Sequence, residues 1–212
     1  MATLRPYLLG VVACAVLVVV CYAFVDRPAA LFVHTHGGSV VFLRLQQIPD
    51  LLYAAAPAVL VLGGLGLVAQ GRLPAAPRAG LLAAVSFTLA AAIKDQLKYV
   101  FGRTWPDTWV NHNPSFIQNG VFGFFPFHGG RGWASFPSGH MTVTSAAFVV
   151  LWCAYPRLWP LWAALILAVA AGLLGMDYHF VSDMIAGTFL GTGVASATWA
   201  VSVTARGPPA AR

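Results

Sequence analysis

The chain has 212 residues, of which 59% are hydrophobic and 8% are charged, and its mean hydropathy is +0.77. Charged residues approach a quarter of an ordinary soluble domain, so this composition excludes that class and predicts a membrane protein. The net charge of +6 comes from 12 Lys and Arg that form no basic run, which argues against a nucleic-acid partner. The three cysteines lie in apolar runs and predict neither disulfides nor a metal site.

Apolar runs predict six transmembrane helices in one bundle, each needing about 20 residues. The runs lie at about 7–25, 51–69, 79–101, 140–156, 158–177 and 181–204. With modest loops they use the whole length, so the sequence predicts an all-α polytopic membrane protein with one domain over residues 1–212. The first run is longer than the roughly 7–15 apolar residues of a signal peptide and is predicted to be retained.

The loops divide into two sets, one on each side of the membrane. One set has basic residues close to span ends and no acid, which favours the cytoplasmic side of the inner membrane. These residues are Arg5, Arg72, Arg78, Arg157, Arg206 and Arg212. The other set has equally many basic residues, so their number does not decide the orientation. It is decided by the first set, whose basic residues lie close to span ends. The longer segments 26–50 and 102–139 and the turn near His179 then lie at the outer face, with all six histidines.

The segment Pro137-Ser138-Gly139-His140 precedes the fourth apolar run and has the pattern of a helix start. Ser138 can cap the helix, and Gly139 lets a ligand approach the backbone. The exposed amides and the helix dipole attract an anion such as phosphate. An ordinary capped helix has the same Ser-Gly pair, but His140, in a chain with so few polar residues, favours a site.

His179 and Asp183 are four residues apart, which places them on one face of a helix. The carboxylate can hold one ring nitrogen protonated and leave the other as a nucleophile or base. The alternative is an acidic first turn beside an interfacial histidine. Ionisable groups at membrane depth are expensive and tend to be functional. Lys98, with Lys94 one turn earlier, would supply positive charge to a phosphoryl group or snorkel to the interface.

Together these segments resemble the type 2 phosphatidic acid phosphatase superfamily of membrane enzymes. Its motifs are Lys-x6-Arg-Pro, then Pro-Ser-Gly-His, then Ser-Arg-x5-His-x3-Asp. Lys98 and Pro106 match the first motif, residues 137–140 match the second in full, and His179 and Asp183 match the end of the third.

The resemblance implies a role for each matched residue. His179 would be the nucleophile that forms a phosphohistidine, Asp183 would orient it, and His140 would protonate the leaving group. Phosphate oxygens would be bound by Lys98, Ser138 and the Gly139 amide. Positioning and charge stabilisation suffice for phosphoryl transfer, and the sequence shows no carboxylate cluster of the kind that Mg²⁺ needs, so we expect no metal or cofactor.

Two family arginines are missing at their usual places. Trp105 stands at the first, and Gly172-Leu173 replaces the Ser-Arg of the third motif. Arg103 and Arg131 are predicted to lie on the correct side and to bind phosphate instead. On that hypothesis, changing either one to Ala lowers activity more than changing Arg44 does.

The predicted function is hydrolysis of a phosphate or diphosphate monoester of a lipid at the outer membrane face. Candidate substrates are polyprenyl diphosphate, which is slightly favoured, phosphatidic acid or phosphatidylglycerol phosphate, and lipid A phosphate. Loss of the third-motif arginine also resembles lipid phosphotransferase branches of the superfamily. A non-catalytic lipid-binding or transport protein that keeps the fold is the remaining alternative.

Other features leave alternatives open. The aromatic loop at 107–135 is typical of an interfacial belt or of a lipid entrance. The spacing of the histidines outside the motifs does not predict a metal site; these are His34, His36, His112 and His128. Gly187-x3-Gly191 indicates close helix packing, either in a homodimer or within the bundle.

Overall fold

The structure is a computed structural model that describes residues 5–109 and 112–204; Arg206 and Arg212, used in the predicted charge asymmetry, lie outside these ranges. The described chain is helical apart from loops and isolated β-bridges. The α-helices are α1 (Arg5–Val20), α2 (Asp26–His36), α3 (Val40–Gln46), α4 (Ile48–Gln70), α5 (Ala75–Phe101), α6 (Phe116–Asn119), α7 (Gly139–Ala154), α8 (Trp159–Gly175) and α9 (Val181–Thr204).

Within the described ranges, five continuous helical segments are long and apolar enough to cross a membrane. They are Tyr7–His36, Val40–Gln70, Ala75–Phe101, Pro156–Gly175 and Val181–Thr204. The helix α7 is also apolar, but it has only 16 residues. The predicted class, an all-α polytopic membrane protein, is confirmed, whereas the count of six spans stays a prediction.

The first connection differs from the prediction. Residues 26–50 were expected to form a long outer segment, but α2 continues α1 as far as His36, and helix resumes at Val40. A π-helical turn, Cys21–Val25, joins α1 to α2, and the Asp26 amide donates to the Cys21 carbonyl. Asp26 therefore does not mark a solvated span end, because its side chain is 0% exposed and binds Arg103 inside the bundle.

The helix α7 lies at the centre of the bundle, where α5, α8 and α9 pack against it. Its contact with α9 is closest at two glycines. A Cβ atom at Gly187 would lie 2.5 Å from the Ser138 carbonyl oxygen, and one at Gly191 would lie 2.2 Å from that of Thr142. The predicted close packing of Gly187 and Gly191 is confirmed within the bundle, so this face is not free for a homodimer.

We expect Gly191→Ala to lower the free energy of unfolding by about 1–3 kcal/mol, because the new methyl group must push α9 away from α7. The obstacle is the Thr142 backbone, which cannot rotate aside as a side chain could. Thermal unfolding in detergent, followed by circular dichroism, measures the effect. Gly193→Ala is the matched control, since no atom outside its own helix lies within 4 Å of its Cβ position. Equal unfolding midpoints for the two variants would contradict this packing.

The ends of four helices bring the three motif segments to one end of the bundle. This end contains the last turn of α5, the first turns of α7 and α9, and the end of α8. Backbone hydrogen bonds join the segments directly: the Ser138 amide donates to the Asp183 carbonyl at 3.0 Å, and the Ser135 amide donates to the Arg103 carbonyl at 3.2 Å.

Candidate active site

His179 and Asp183 form an imidazole–carboxylate pair at the start of α9. The His179 ring is buried, and its Nδ1 lies 3.4 Å from Asp183 Oδ2. The same carboxylate oxygen accepts hydrogen bonds from the Ser135 hydroxyl at 2.6 Å and from the Phe180 amide at 3.1 Å. Asp183 is thus held in place by groups other than the imidazole. Because Nδ1 faces the carboxylate, Nε2 is the ring nitrogen left for a substrate.

Arg103 holds the other oxygen of this carboxylate. One terminal nitrogen donates to Asp183 Oδ1 at 2.5 Å and to the Ser182 hydroxyl at 2.6 Å. The other donates to Asp26 Oδ2 at 2.7 Å. Asp26 also accepts from the Ser182 amide at 3.0 Å and from the Ser182 hydroxyl. A buried ion-pair network through Arg103 therefore connects the start of α2 to the first turn of α9.

Aromatic rings enclose the Arg103 guanidinium, whose side chain is 0% exposed. Its central carbon lies 4.4–5.4 Å from the centroids of four rings, those of Tyr22, Phe122, Phe124 and Phe180. A desolvated guanidinium is stabilised both by its carboxylates and by ring faces. This placement does not fit the prediction that Arg103 binds phosphate, because its charge is already used by two carboxylates.

His140 faces His179 from the first turn of α7. The centroids of the two imidazoles are 6.4 Å apart, and the Tyr178 ring lies 5.6 Å from that of His140 and 5.2 Å from that of His179. The sequence placed these histidines 39 positions apart, and the fold brings them to one site. Their separation leaves room for a tetrahedral group in contact with both.

Two lysines cross the N-terminus of α7. A Cβ atom at Gly139 would lie 3.3 Å from the Lys94 Cδ and Cε atoms and 3.6 Å from Lys98 Cε, so both lysine side chains pass close to the Gly139 backbone. Lys94 donates to Asp95 Oδ1 at 2.5 Å, and Lys98 donates to the Ala134 carbonyl. Both side chains therefore lie beside the positive end of the α7 dipole, where the Lys94 charge is paired with Asp95.

Ser138 caps α7, as predicted. Its hydroxyl accepts from the Met141 amide at 3.4 Å, and its carbonyl accepts from the Thr142 amide at 3.0 Å. The amides of Gly139 and His140 come before the first intrahelical donor, so their positions suit an anion.

Trp105 and Leu173 occupy the positions of the two missing family arginines. Trp105 is buried, and the centroid of its ring lies 5.0 Å from that of the His179 ring. Lys98 Nζ lies 5.5 Å from the Trp105 ring centroid. Its indole nitrogen donates to the Arg131 carbonyl at 2.8 Å. Leu173 is fully buried in an apolar cluster with Met141. An indole beside His179 and a buried alkyl group therefore stand where the family motifs have two cations.

Arg131 is exposed in a short 3₁₀ turn above Trp105. Burial raises the pKa of Tyr178, and the Arg131 charge opposes that increase. Unlike Arg103, Arg131 is accessible to a substrate headgroup, so its phosphate-binding role stays a prediction.

Burial lowers the pKa of His179, although Asp183 opposes the shift through its hydrogen bond and its charge. The neutral imidazole is therefore favoured near neutral pH, which is the form that has a free lone pair for attack on phosphorus.

Three described residues outside the imidazole site could hold a metal ion. They are His34, Asp107 and Asp177. Burial raises the pKa of Asp177 to about 6, against the opposing influence of His34.

Sequence reasoning missed three residues of the site: Ser135, Ser182 and Asp26. Asp26 gave a signal, since it is one of only six acids in an apolar chain and follows an apolar run directly. The two serines gave none, because a serine next to a motif has no distinguishing pattern.

Comparisons with known proteins bear on both the fold and the sequence. The family model described as PAP2 superfamily matches residues 79–206. Two proteins named lipid A 1-phosphatase, from Rhizobium etli and Rhizobium johnstonii, are 34% identical to the chain over 95 residues. That stretch is 45% of this chain but only 38% and 36% of the two relatives.

The fold is also similar to a crystal structure described as the first transmembrane PAP2 type phosphatidylglycerolphosphate phosphatase, from Bacillus subtilis. The TM-score is 0.60 with 17% identity, over 91% of this chain and 96% of that one. At this identity the likeness shows the fold alone.

Fold and site together define a multi-pass helical membrane protein with two imidazoles, a carboxylate and two lysines at one end of its bundle. The family match covers more than half of the chain. The chain belongs to the PAP2 superfamily, which confirms the resemblance that its motifs indicate.

Proposed function

We propose that the protein is a membrane phosphatase that hydrolyses a phosphate monoester of a lipid through a phosphohistidine intermediate. The observation that carries this proposal is the pair of imidazoles, 6.4 Å apart, of which only His179 is bound to a buried carboxylate. That asymmetry gives the two rings different tasks. His179 becomes the nucleophile and His140 becomes the acid and base.

In the first step, His179 Nε2 attacks phosphorus opposite the leaving oxygen. The N–P bond forms as the P–O bond breaks, and His140 passes to the leaving alcohol a proton that it takes from the bound phosphate monoester. Asp183 holds Nδ1–H and stabilises the positive charge that develops on the ring. Lys98 and the first amides of α7 stabilise charge on the phosphoryl oxygens.

In the second step, water hydrolyses the phosphohistidine. Neutral His140 takes a proton from the water as its oxygen bonds to phosphorus and the N–P bond breaks. Inorganic phosphate leaves with the proton that His140 took from the water, and both imidazoles return to their neutral forms. Each step uses only side chains and water, so we propose that the chemistry requires no metal.

A lipid substrate is favoured because the site lies at helix ends, where a phosphate headgroup meets the hydrocarbon boundary. The similarity to proteins named lipid A 1-phosphatase makes lipid A phosphate the first candidate. Polyprenyl diphosphate, phosphatidic acid and phosphatidylglycerol phosphate remain alternatives. The charge asymmetry of the loops supports an inner-membrane protein with this site at the outer face.

A phosphate-release assay in detergent tests the proposal with these lipid phosphates, each with and without a chelator. We expect phosphate release from one class of lipid, and we expect this release to continue in the presence of chelator. Leu173, in place of a family arginine, favours phosphotransferase as the second candidate; phosphate appearing on an acceptor lipid rather than in water would establish it. No turnover of any lipid would support the non-catalytic alternative.

The pH profile of kcat/KM should have its acid limb below pH 6.5. Protonation removes the His179 lone pair, so activity is lost as the pH falls through the pKa of that ring. Because burial lowers this pKa below its ordinary value, the loss begins at a lower pH than for an exposed histidine. Initial rates between pH 4.5 and 8 in one buffer series measure the limb. An acid limb at or above pH 7 would contradict a neutral, buried nucleophile.

A further inference from the structure

A second cluster of chemically active side chains lies at the same end of the bundle. His34 comes from the last turn of α2, Asp107 from the loop after α5, and Asp177 from the turn after α8. His34 Nδ1 lies 3.3 Å from Asp177 Oδ2 and 3.9 Å from Asp107 Oδ2. All three potential ligand atoms lie within 4.8 Å of one another. One nitrogen and two carboxylate oxygens therefore converge from three distant parts of the chain.

Asp177 gives an independent sign that this cluster binds something. Asp177 is 7% exposed, and its Oδ2 atom is buried and accepts no hydrogen bond. This oxygen lies 3.3 Å from His34 Nδ1, which forms an ion pair with it only when the imidazole is protonated. A buried carboxylate oxygen beside a neutral imidazole lacks a compensating charge, and a metal ion bound between the two side chains would supply it.

Asp107 is prepared for the same purpose. Its Oδ1 accepts from the Thr108 amide at 2.7 Å and from the Gln118 side-chain amide at 3.1 Å. These donors fix the carboxylate so that its other oxygen, Oδ2, faces His34. Outer hydrogen bonds that orient a ligand in this way are typical of metal sites.

We propose that His34, Asp107 and Asp177 bind a divalent transition-metal ion, with Zn²⁺ as the preferred ion. Tetrahedral Zn²⁺ bonds of 2.0–2.2 Å place neighbouring ligand atoms about 3.3–3.6 Å apart. The His34–Asp177 separation of 3.3 Å matches this value, and the 3.9 Å separation needs only a small rotation of Asp107. The imidazole favours Zn²⁺ over Mg²⁺ and Ca²⁺, which prefer oxygen ligands. Three protein ligands leave one position for water.

The bound ion would join α2, the 102–138 loop and the turn that carries His179. Asp177 lies two residues before His179, and its carbonyl accepts from the Trp109 indole at 3.3 Å. Zn²⁺ here stabilises the turn without taking part in phosphoryl transfer. The inference rests on these three side chains and is independent of the proposed phosphatase activity.

Metal binding to the full chain in detergent tests the proposal. The protein is treated with chelator, desalted, and titrated with Zn²⁺, and bound metal is measured by plasma mass spectrometry. We expect about one Zn²⁺ per chain, which Mg²⁺ in excess does not displace. Zn²⁺ should also raise the unfolding midpoint. His34→Ala and Asp177→Asn should weaken Zn²⁺ binding by at least the roughly 10–100-fold that loss of an outer hydrogen-bond partner produces.

Matched controls separate this site from adventitious binding. His36→Ala removes an exposed histidine two residues from His34, and Asp50→Asn removes an exposed carboxylate. Both should bind Zn²⁺ as the unaltered chain does. Absence of stoichiometric Zn²⁺, or equal binding by His34→Ala and His36→Ala, would overturn the site. Asp177→Asn still tests it if His34→Ala fails to fold, because Asn is nearly isosteric and needs no cation.

Discussion

His179→Ala should lower lipid phosphate release by about 10⁴-fold or more, because the proposed reaction has no other nucleophile. The variant should still fold, since removing a neutral imidazole leaves Asp183 bound to Arg103 and to the Ser135 hydroxyl. Rapid acid-free quenching with a ³²P-labelled substrate should trap an acid-labile phosphoenzyme in the unaltered chain. The label should be absent from His179→Ala. A normal rate, or a label that persists, would exclude His179 as the nucleophile.

His140→Ala separates the two imidazole roles. It should strongly slow release from a lipid, whose alkoxide needs a proton in order to leave, by about 10²–10⁴-fold. A p-nitrophenyl phosphate leaving group needs no such proton, so formation of the phosphoenzyme from this substrate should be largely restored. Hydrolysis of that intermediate should remain slow, and the label should accumulate. His36→Ala is the matched control, because His36 is exposed and its Nδ1 contacts Thr35 and the Phe32 carbonyl in α2. Equal losses with both substrates would contradict a general-acid role.

The bundle and the meeting of the motifs could be predicted from the sequence for simple reasons. An apolar run of span length can only be a membrane helix or a buried one, and alternation of spans fixes which ends lie together. His179 and Asp183 were recognisable from their spacing of four residues, but the prediction that both lie on one helix face was wrong, because His179 lies in the turn before α9 and only Asp183 is in the helix. The same reasoning failed at Asp26, since a charged residue after an apolar run has the same pattern whether it meets water or a buried partner.

Longer-range pairings were outside the reach of periodicity. Arg103 was recognisable only as a cation on the correct side, and nothing in its neighbourhood indicates that Asp26, 77 positions away, takes its second terminal nitrogen. Likewise, His34 pairs with Asp177, far along the chain, which is why the spacing of the histidines predicted no metal site. Both contacts are set by how α2 packs against α8 and α9. Local sequence patterns do not encode that packing.

Substitution of Arg103 tests whether this residue positions Asp183 or binds substrate. Arg103→Met leaves the Asp26 and Asp183 carboxylates buried without their cation, and breaking a buried ion pair from one side destabilises by about 3–5 kcal/mol. We therefore expect a large fall in the unfolding midpoint. Arg103→Lys keeps one positive charge but cannot span both carboxylates with a planar fork, so it should recover only part of the stability.

Kinetics of Arg103→Lys, measured well below its unfolding midpoint, decide between the two roles. If Arg103 acts through Asp183, kcat should fall while KM stays nearly constant, because no contact with substrate is lost. Asp26→Asn should then reproduce part of the kcat effect, although Asp26 lies on the far side of the guanidinium. Arg44→Lys, at an exposed position, is the control. A raised KM with an unchanged unfolding midpoint would instead show that Arg103 binds phosphate. If Asp26→Asn leaves kcat unchanged, the buried network does not position the catalytic carboxylate.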